Sequence, residues 1–125
     1  MINKIVIHSQ DHLRFISEDD ILFCKSDNCY TYIILCTSEE LLISKSLSKF
    51  SKELNENNFI RVNQSYLVNK QYIRSIDKKK KLLYLTNMSQ IPFTSTLKDL
   101  LTRLERVASV ITYLILYNCL AINYF

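Results

Sequence analysis

A chain of 125 residues holds one domain and leaves no room for two independent cores. It is globular in composition, 48% apolar and 22% charged, yet contains no glycine, which excludes every P-loop, dinucleotide fingerprint and other glycine-built phosphate cradle. Collagen-like, mucin-like and linker-rich chains are excluded too, and the net charge of +4 admits a polyanionic partner. Turns are expected from Asn and Asp, the other residues that tolerate positive φ. Residues 3–8 (NKIVIH) and 13–17 read as short strands about a turn at Gln10-Asp11. Residues 17–20 are polar, with scope for a single helical turn. Residues 21–25 read as strand, Ser26-Asp27-Asn28 as a turn where Asn-Gly or Asp-Gly would ordinarily close a hairpin, and 30–36 as the returning strand. After 37–39, residues 41–44 extend an antiparallel meander.

The pattern then changes. Leu47, Phe50 and Leu54 share one face of an expected helix of about three turns, with Lys45, Lys49 and Lys52 on other faces and 55–58 (NENN) as its stop. Residues 59–69 (FIRVNQSYLVN) are mixed in character. Strands at 72–76, 82–86 and 90–93 follow, separated by a basic turn at 77–81 and a turn at 87–89. Pro92, the only proline, marks an edge strand. Leu97, Leu100, Leu101 and Leu104 begin a second amphipathic helix. The expected fold is mainly β with short helices: roughly eight or nine strands and no internal repeat of 20–50 residues.

Residues 107–125 carry no charge and would span about 28 Å as a helix. Two readings stay open for them. Either the second helix continues and packs on a sheet or a second subunit, or the segment anchors the domain to the cytoplasmic side of a membrane, with Lys98, Arg103 and Arg106 just before it. Cys24, Cys29, Cys36 and Cys119 show no C-x-x-C spacing, and three of them sit in apolar stretches where a thiol packs as a small hydrophobe. With no secretory signal before the first strand, reduced structural thiols in the cytoplasm are expected, without disulfide or zinc.

An active site is hard to assemble. His8 and His12 are four apart, but the turn between them spoils the helical face that a metal pair would need. Glu18-Asp19-Asp20 sits at an element start, where acids suit a helix N-terminus, and lacks converging partners for magnesium. No Ser/His/Asp or Cys/His arrangement can be drawn. No enzyme, metal or cofactor is expected.

The second half is more informative. Residues 1–60 hold six Lys/Arg against nine Asp/Glu, a balance of −3, whereas 61–106 hold ten against three, a balance of +7. Such a half suits nucleic acid or an anionic membrane, the alternative being a solvated face. Within 59–69, Phe59, Val62, Tyr66 and Val68 are expected to face the core. Arg61, Asn63, Gln64, Ser65 and Asn69 have the reach for phosphate oxygens or base edges, unless they only satisfy a polar loop. Asn and Gln can read adenine bidentately.

This segment resembles the signature of the LytTR DNA-binding domain family, approximately F-x-R-V-H-R-S-Y-L-V-N before an isoleucine strand. Phe59, Arg61, Val62, Ser65, Tyr66, Leu67, Val68 and Asn69 match, and 72–76 (YIRSI) continues it. Upstream, 18–23 (EDDILF) resembles the family's E-D-I-x-Y opening, 26–32 its polar loop, and 46–50 the start of its short helix. Ile91-Pro92-Phe93 and 96–100 resemble its closing segment, so the likeness spans about residues 3–106.

The resemblance implies a compact stack of small antiparallel β-sheets of the LytTR type, plus a C-terminal helix. It implies a bacterial transcription regulator that inserts loops into successive major grooves of double-stranded DNA and often bends the duplex. By position, Lys25, Ser26, Asp27, Asn28 and Tyr30 mark a first contact loop, and Asn63, Gln64 and Ser65 a second. Ser95, Thr96 and Lys98 border a third. Arg61 is assigned a packed stem with a guanidinium that pairs or touches phosphate. Asn63-Gln64 replaces the usual His-Arg, and Ser95 and Thr96 stand where Arg or Lys is common, so Lys78, Lys79 and Lys80 with Lys81 become the compensating cations. A homodimer on direct-repeat sites is implied as well. Family members commonly carry a receiver domain ahead of this one; the few residues before the first strand leave no space for it, so no phosphorylation switch is expected. The alternative is a membrane-tethered or dimerising module that binds another regulator rather than DNA.

Overall fold

The computed structural model describes residues 4–9 and 11–104; the stretch 107–125 and both of its readings lie outside the described residues. The chain divides into two compact units, 1–94 and 95–125. The first holds ten strands among the described residues. They are β1 (Lys4–Ser9), β2 (His12–Ser17), β3 (Ile21–Asp27), β4 (Tyr30–Leu35), β5 (Glu40–Ile43), β6 (Phe59–Arg61), β7 (Tyr66–Asn69), β8 (Ile73–Asp77), β9 (Leu82–Leu85) and β10 (Gln90–Pro92), with helix α1 (Leu47–Ser51) between β5 and β6. The second unit carries helix α2 (Leu97–Leu104).

All pairings are antiparallel, in three sheets: the hairpin β1-β2, the central sheet β5-β4-β3-β7-β6, and the small sheet β10-β9-β8. The alternation of β1 buries Ile5 and Ile7, which join Ile16 of β2 and Phe50 of α1 in one apolar cluster. Residues 21–24 of β3 are all buried, as a strand covered on both faces must be. The small sheet buries Leu83, Leu85 and Ile91. Pro92 lies on edge strand β10, where its missing N–H interrupts no ladder.

The strand count exceeds the expectation because 59–69 is a hairpin, β6 and β7 about residues 62–65, rather than one segment. Helix α1 covers about one and a half turns, not three. Ser46 caps its start, accepting from Lys49 N at 3.2 Å. Its end tightens into three-residue bonds, Lys52 N to Lys49 O, Glu53 N to Phe50 O and Leu54 N to Ser51 O. The next donor, Asn55 N, bonds Glu18 Oε1 at 2.9 Å, so a buried carboxylate from a distant segment caps the tightened turn. Glu18 therefore acts beyond its own short 3₁₀ turn at Glu18–Asp20.

The turns also depart from the expectation. Among the described residues, positive φ falls on Asn28, Ser38, Lys81 and Met88, only one of them an Asx residue. Asx side chains act as acceptors instead: Asp77 Oδ1 receives Lys79 N at 3.0 Å and Lys80 N at 2.9 Å, and Asn87 Oδ1 receives Ser89 N at 3.0 Å. The acceptor fixes the turn, and the residue left at the tight position takes the left-handed backbone whatever its type. Of the thiols, Cys24 is buried, and loss of solvation raises its pKa far above the ordinary range. Cys29 and Cys36 are exposed, so Cys36 does not pack as a core residue.

Candidate nucleic-acid interface

The first loop is the tip of the β3–β4 hairpin. Asp27 pairs with Tyr30, leaving Asn28 and Cys29 to close it, and Asn28 adopts φ 56°. This is one residue later than the expected turn, because β3 runs on through Ser26 and Asp27. Lys25, Asp27, Asn28 and Tyr30 are exposed and Ser26 is half-buried. The second loop, 62–65, joins β6 to β7, and β7 pairs with β3. Neighbouring strands thus bring both loops to one end of the central sheet. A bond from Ser26 N to Ser65 O at 2.8 Å joins them. Lys25 Nζ stands 5.9 Å from the Tyr66 ring centroid, within cation–π reach. Tyr66 is half-buried beside the loops rather than in the core, its ring 6.0 Å from Phe23. Its aromatic character alone suggests burial, and only the pairing of β3 with β7 reveals its place under Lys25.

The second loop is built from inside. Asn63 Oδ1 accepts from Ser65 N at 2.6 Å and Tyr66 N at 2.9 Å, while its Nδ2 donates to Pro92 O at 2.6 Å. Three of the four hydrogen-bonding capacities of the amide are occupied, which leaves no bidentate face for a base. Arg61 Nε donates to Asn63 O at 2.9 Å and Nη2 to Gln64 O at 2.6 Å. Partial burial lowers the Arg61 pKa from its ordinary value, and the group stays charged. Its guanidinium holds the loop. Gln64 is exposed, and its side-chain amide has no hydrogen bond among the described residues. Asn69 is buried: Nδ2 donates to Ile21 O at 2.9 Å and Oδ1 accepts from Gln71 N at 3.2 Å, so it is no surface contact.

The basic turn lies against the same region. Thr94 N donates to Val62 O at 3.2 Å, and Lys81 Nζ donates to Thr94 O at 3.3 Å. Lys81 also stands 5.4 Å from the Phe93 ring, which ties its ammonium down. Lys78, Lys79 and Lys80 are exposed on the turn that Asp77 shapes. In the second unit, Thr96 Oγ1 accepts from Asp99 N at 3.1 Å at the start of α2, Ser95 Oγ is buried with no partner among the described residues, and Lys98 is exposed. The sequence could show which residues were polar; it could not show which were already bonded. Among the described residues, no group of three or more His, Cys, Asp or Glu side chains could hold a metal ion. No described helix is long and apolar enough to cross a membrane.

Known proteins share this architecture. A solved structure, the LytTr DNA-binding domain of a Bacillus cereus protein described as a putative methyl-accepting/DNA response regulator, is similar with a TM-score of 0.66 at 20% identity. The similarity covers 81% of this chain and 94% of that one. No curated protein matches. The family model of the LytTr DNA-binding domain matches residues 11–106, most of the chain and all three expected contact loops. Stacked small antiparallel sheets, the two joined loops and that match together make this chain a member of the LytTR family of DNA-binding domains.

Proposed function

We propose that the chain is a transcription regulator that binds double-stranded DNA in a sequence-dependent way, without catalysis, through loops laid into the major groove. The observation that carries this reading is the Ser26 N to Ser65 O bond, which makes the β3–β4 tip and the 62–65 loop one rim with Gln64 exposed on it. Within that rim the roles divide. Gln64 reads a base edge, with adenine its bidentate match. Asn63 and Arg61 shape the loop rather than touch bases. Lys25, Lys78, Lys79 and Lys80 neutralise phosphates, and Ser26, Asp27, Asn28, Tyr30 and Ser65 border the contact as neutral or steering groups; Thr96 and Lys98, in the second unit, are assigned phosphate contacts of their own. Asp27 repels phosphate, which directs the tip toward base edges and away from the backbone. Bending of the duplex brings the basic turn and the loops onto one strand path.

A duplex titration at two salt concentrations tests the reading. Binding that weakens with salt, and a Gln64→Ala variant that loses base discrimination while keeping its salt slope, are expected. Indifference to duplex DNA would overturn it.

A further inference from the structure

The outer face of the β1–β2 hairpin is apolar where an exposed sheet face is ordinarily polar. Val6, Leu13 and Phe15 are 39%, 57% and 63% exposed. Register gathers them: Val6 stands opposite Phe15, and Leu13 stands opposite His8 one step along the same face. Ile5, Ile7 and Ile16 occupy the other, buried face, so the core side of the hairpin is already filled. The three exposed side chains present roughly 300 Å² of apolar surface, the size of the largest patch on many monomers. Interfaces are a little over half apolar, so patch and rim together amount to roughly 500 Å² a side, against about 800 Å² for a stable complex. That area suits a weak, reversible pairing.

We propose that this face pairs with the same face of a second copy of the chain about a two-fold axis. Charge favours a copy as the occupant. Lys4 lies on the same face at the open end of the hairpin, Asp11 lies at its turn, both are exposed, and neither is ion-paired among the described residues. About 20 Å of strand separates them. Two hairpins stacked antiparallel bring Lys4 of each copy to Asp11 of the other, so the contact has Val6, Leu13 and Phe15 with the exposed His8 at its centre and is ion-paired at both ends. Such a pair relates its two sets of loops by the same two-fold axis, the symmetry of inverted half-sites and not of direct repeats. The pairing stands independently of DNA binding.

Sedimentation of the full chain from about 10 to 500 μM, the range expected for so small an interface, tests it. A reversible monomer–dimer equilibrium is expected. Phe15→Ser weakens it at least tenfold, the effect of losing a central aromatic anchor. Lys4→Asp or Asp11→Lys alone weakens it about three- to tenfold, since each change is felt twice across the two-fold axis, and combining the two restores it to within about twofold. A monomer throughout, or association that ignores Phe15→Ser, contradicts the proposal; so does a double charge reversal that fails to restore pairing. The charge-reversal arm stays decisive even if Phe15→Ser perturbs the fold.

Discussion

Asn63 and Gln64 are adjacent polar amides with opposite tasks. Asn63 makes three hydrogen bonds that hold loop and strand ends together, whereas Gln64 makes none with its side chain among the described residues. Asn63→Ala should therefore lower stability by about 1–3 kcal/mol, as loss of partners for half-buried amides does, and should weaken binding to every sequence alike. Thermal melting and duplex titration read both effects. Gln64→Ala should leave the melt unchanged and remove about 1–3 kcal/mol of base discrimination. If Gln64→Ala melted the protein and Asn63→Ala did not, the division of roles would be reversed. Met88 is a different residue-scale case. Its φ of 70° places a long side chain in the left-handed region, which costs about 1 kcal/mol or more, partly offset in a glycine variant by backbone entropy. Met88→Gly should raise stability by up to about 1 kcal/mol in a denaturant titration.

At the scale of elements, alternation was enough to locate most strands. Residues 3–8, 30–36 and 82–86 became β1, β4 and β9 with ends moved by a residue or so, because a period of two with one buried face is a local property. The differences were non-local in origin. Helix α1 gives way to three-residue bonds from Lys52 N, and the donor after them, Asn55 N, is held by Glu18, 37 positions away, a partner that no short window of sequence contains. Glu18→Gln keeps an acceptor and should be mild, while Glu18→Ala should cost about 1–3 kcal/mol by leaving a part-buried donor unsatisfied. Chemical denaturation of the two variants separates the cases. The basic turn was legible as charge, but only the fold shows Lys81 tied to Thr94 and the other three lysines exposed. Replacing Lys78, Lys79 and Lys80 by Ala should reduce the slope of log affinity against log salt by about 2 to 3, near 0.9 for each phosphate no longer neutralised. An unchanged slope would remove the turn from the interface.

For the molecule as a whole, the absence of glycine excluded glycine-built nucleotide cradles from the start, and the family match then placed the basic half in a DNA-binding domain. The loops that face outward are built without glycine, from serine, asparagine and glutamine whose side chains set turns and present polar groups. The fold and the edge position of β10 could be read in advance. Bonding around the 62–65 loop could not, since its partners include Pro92 from another sheet and Ser26 from the neighbouring strand β3. In the function proposed above, the joined loops and the exposed lysines, Lys98 of the second unit included, bind duplex DNA. Titration of the full chain against a duplex pool at about 50 and 200 mM salt tests it most directly. Five phosphate contacts give a slope near −4 to −5, so affinity should fall by a factor of several hundred between those conditions. Absence of binding at the lower salt, or binding that does not change between the two, would contradict the account.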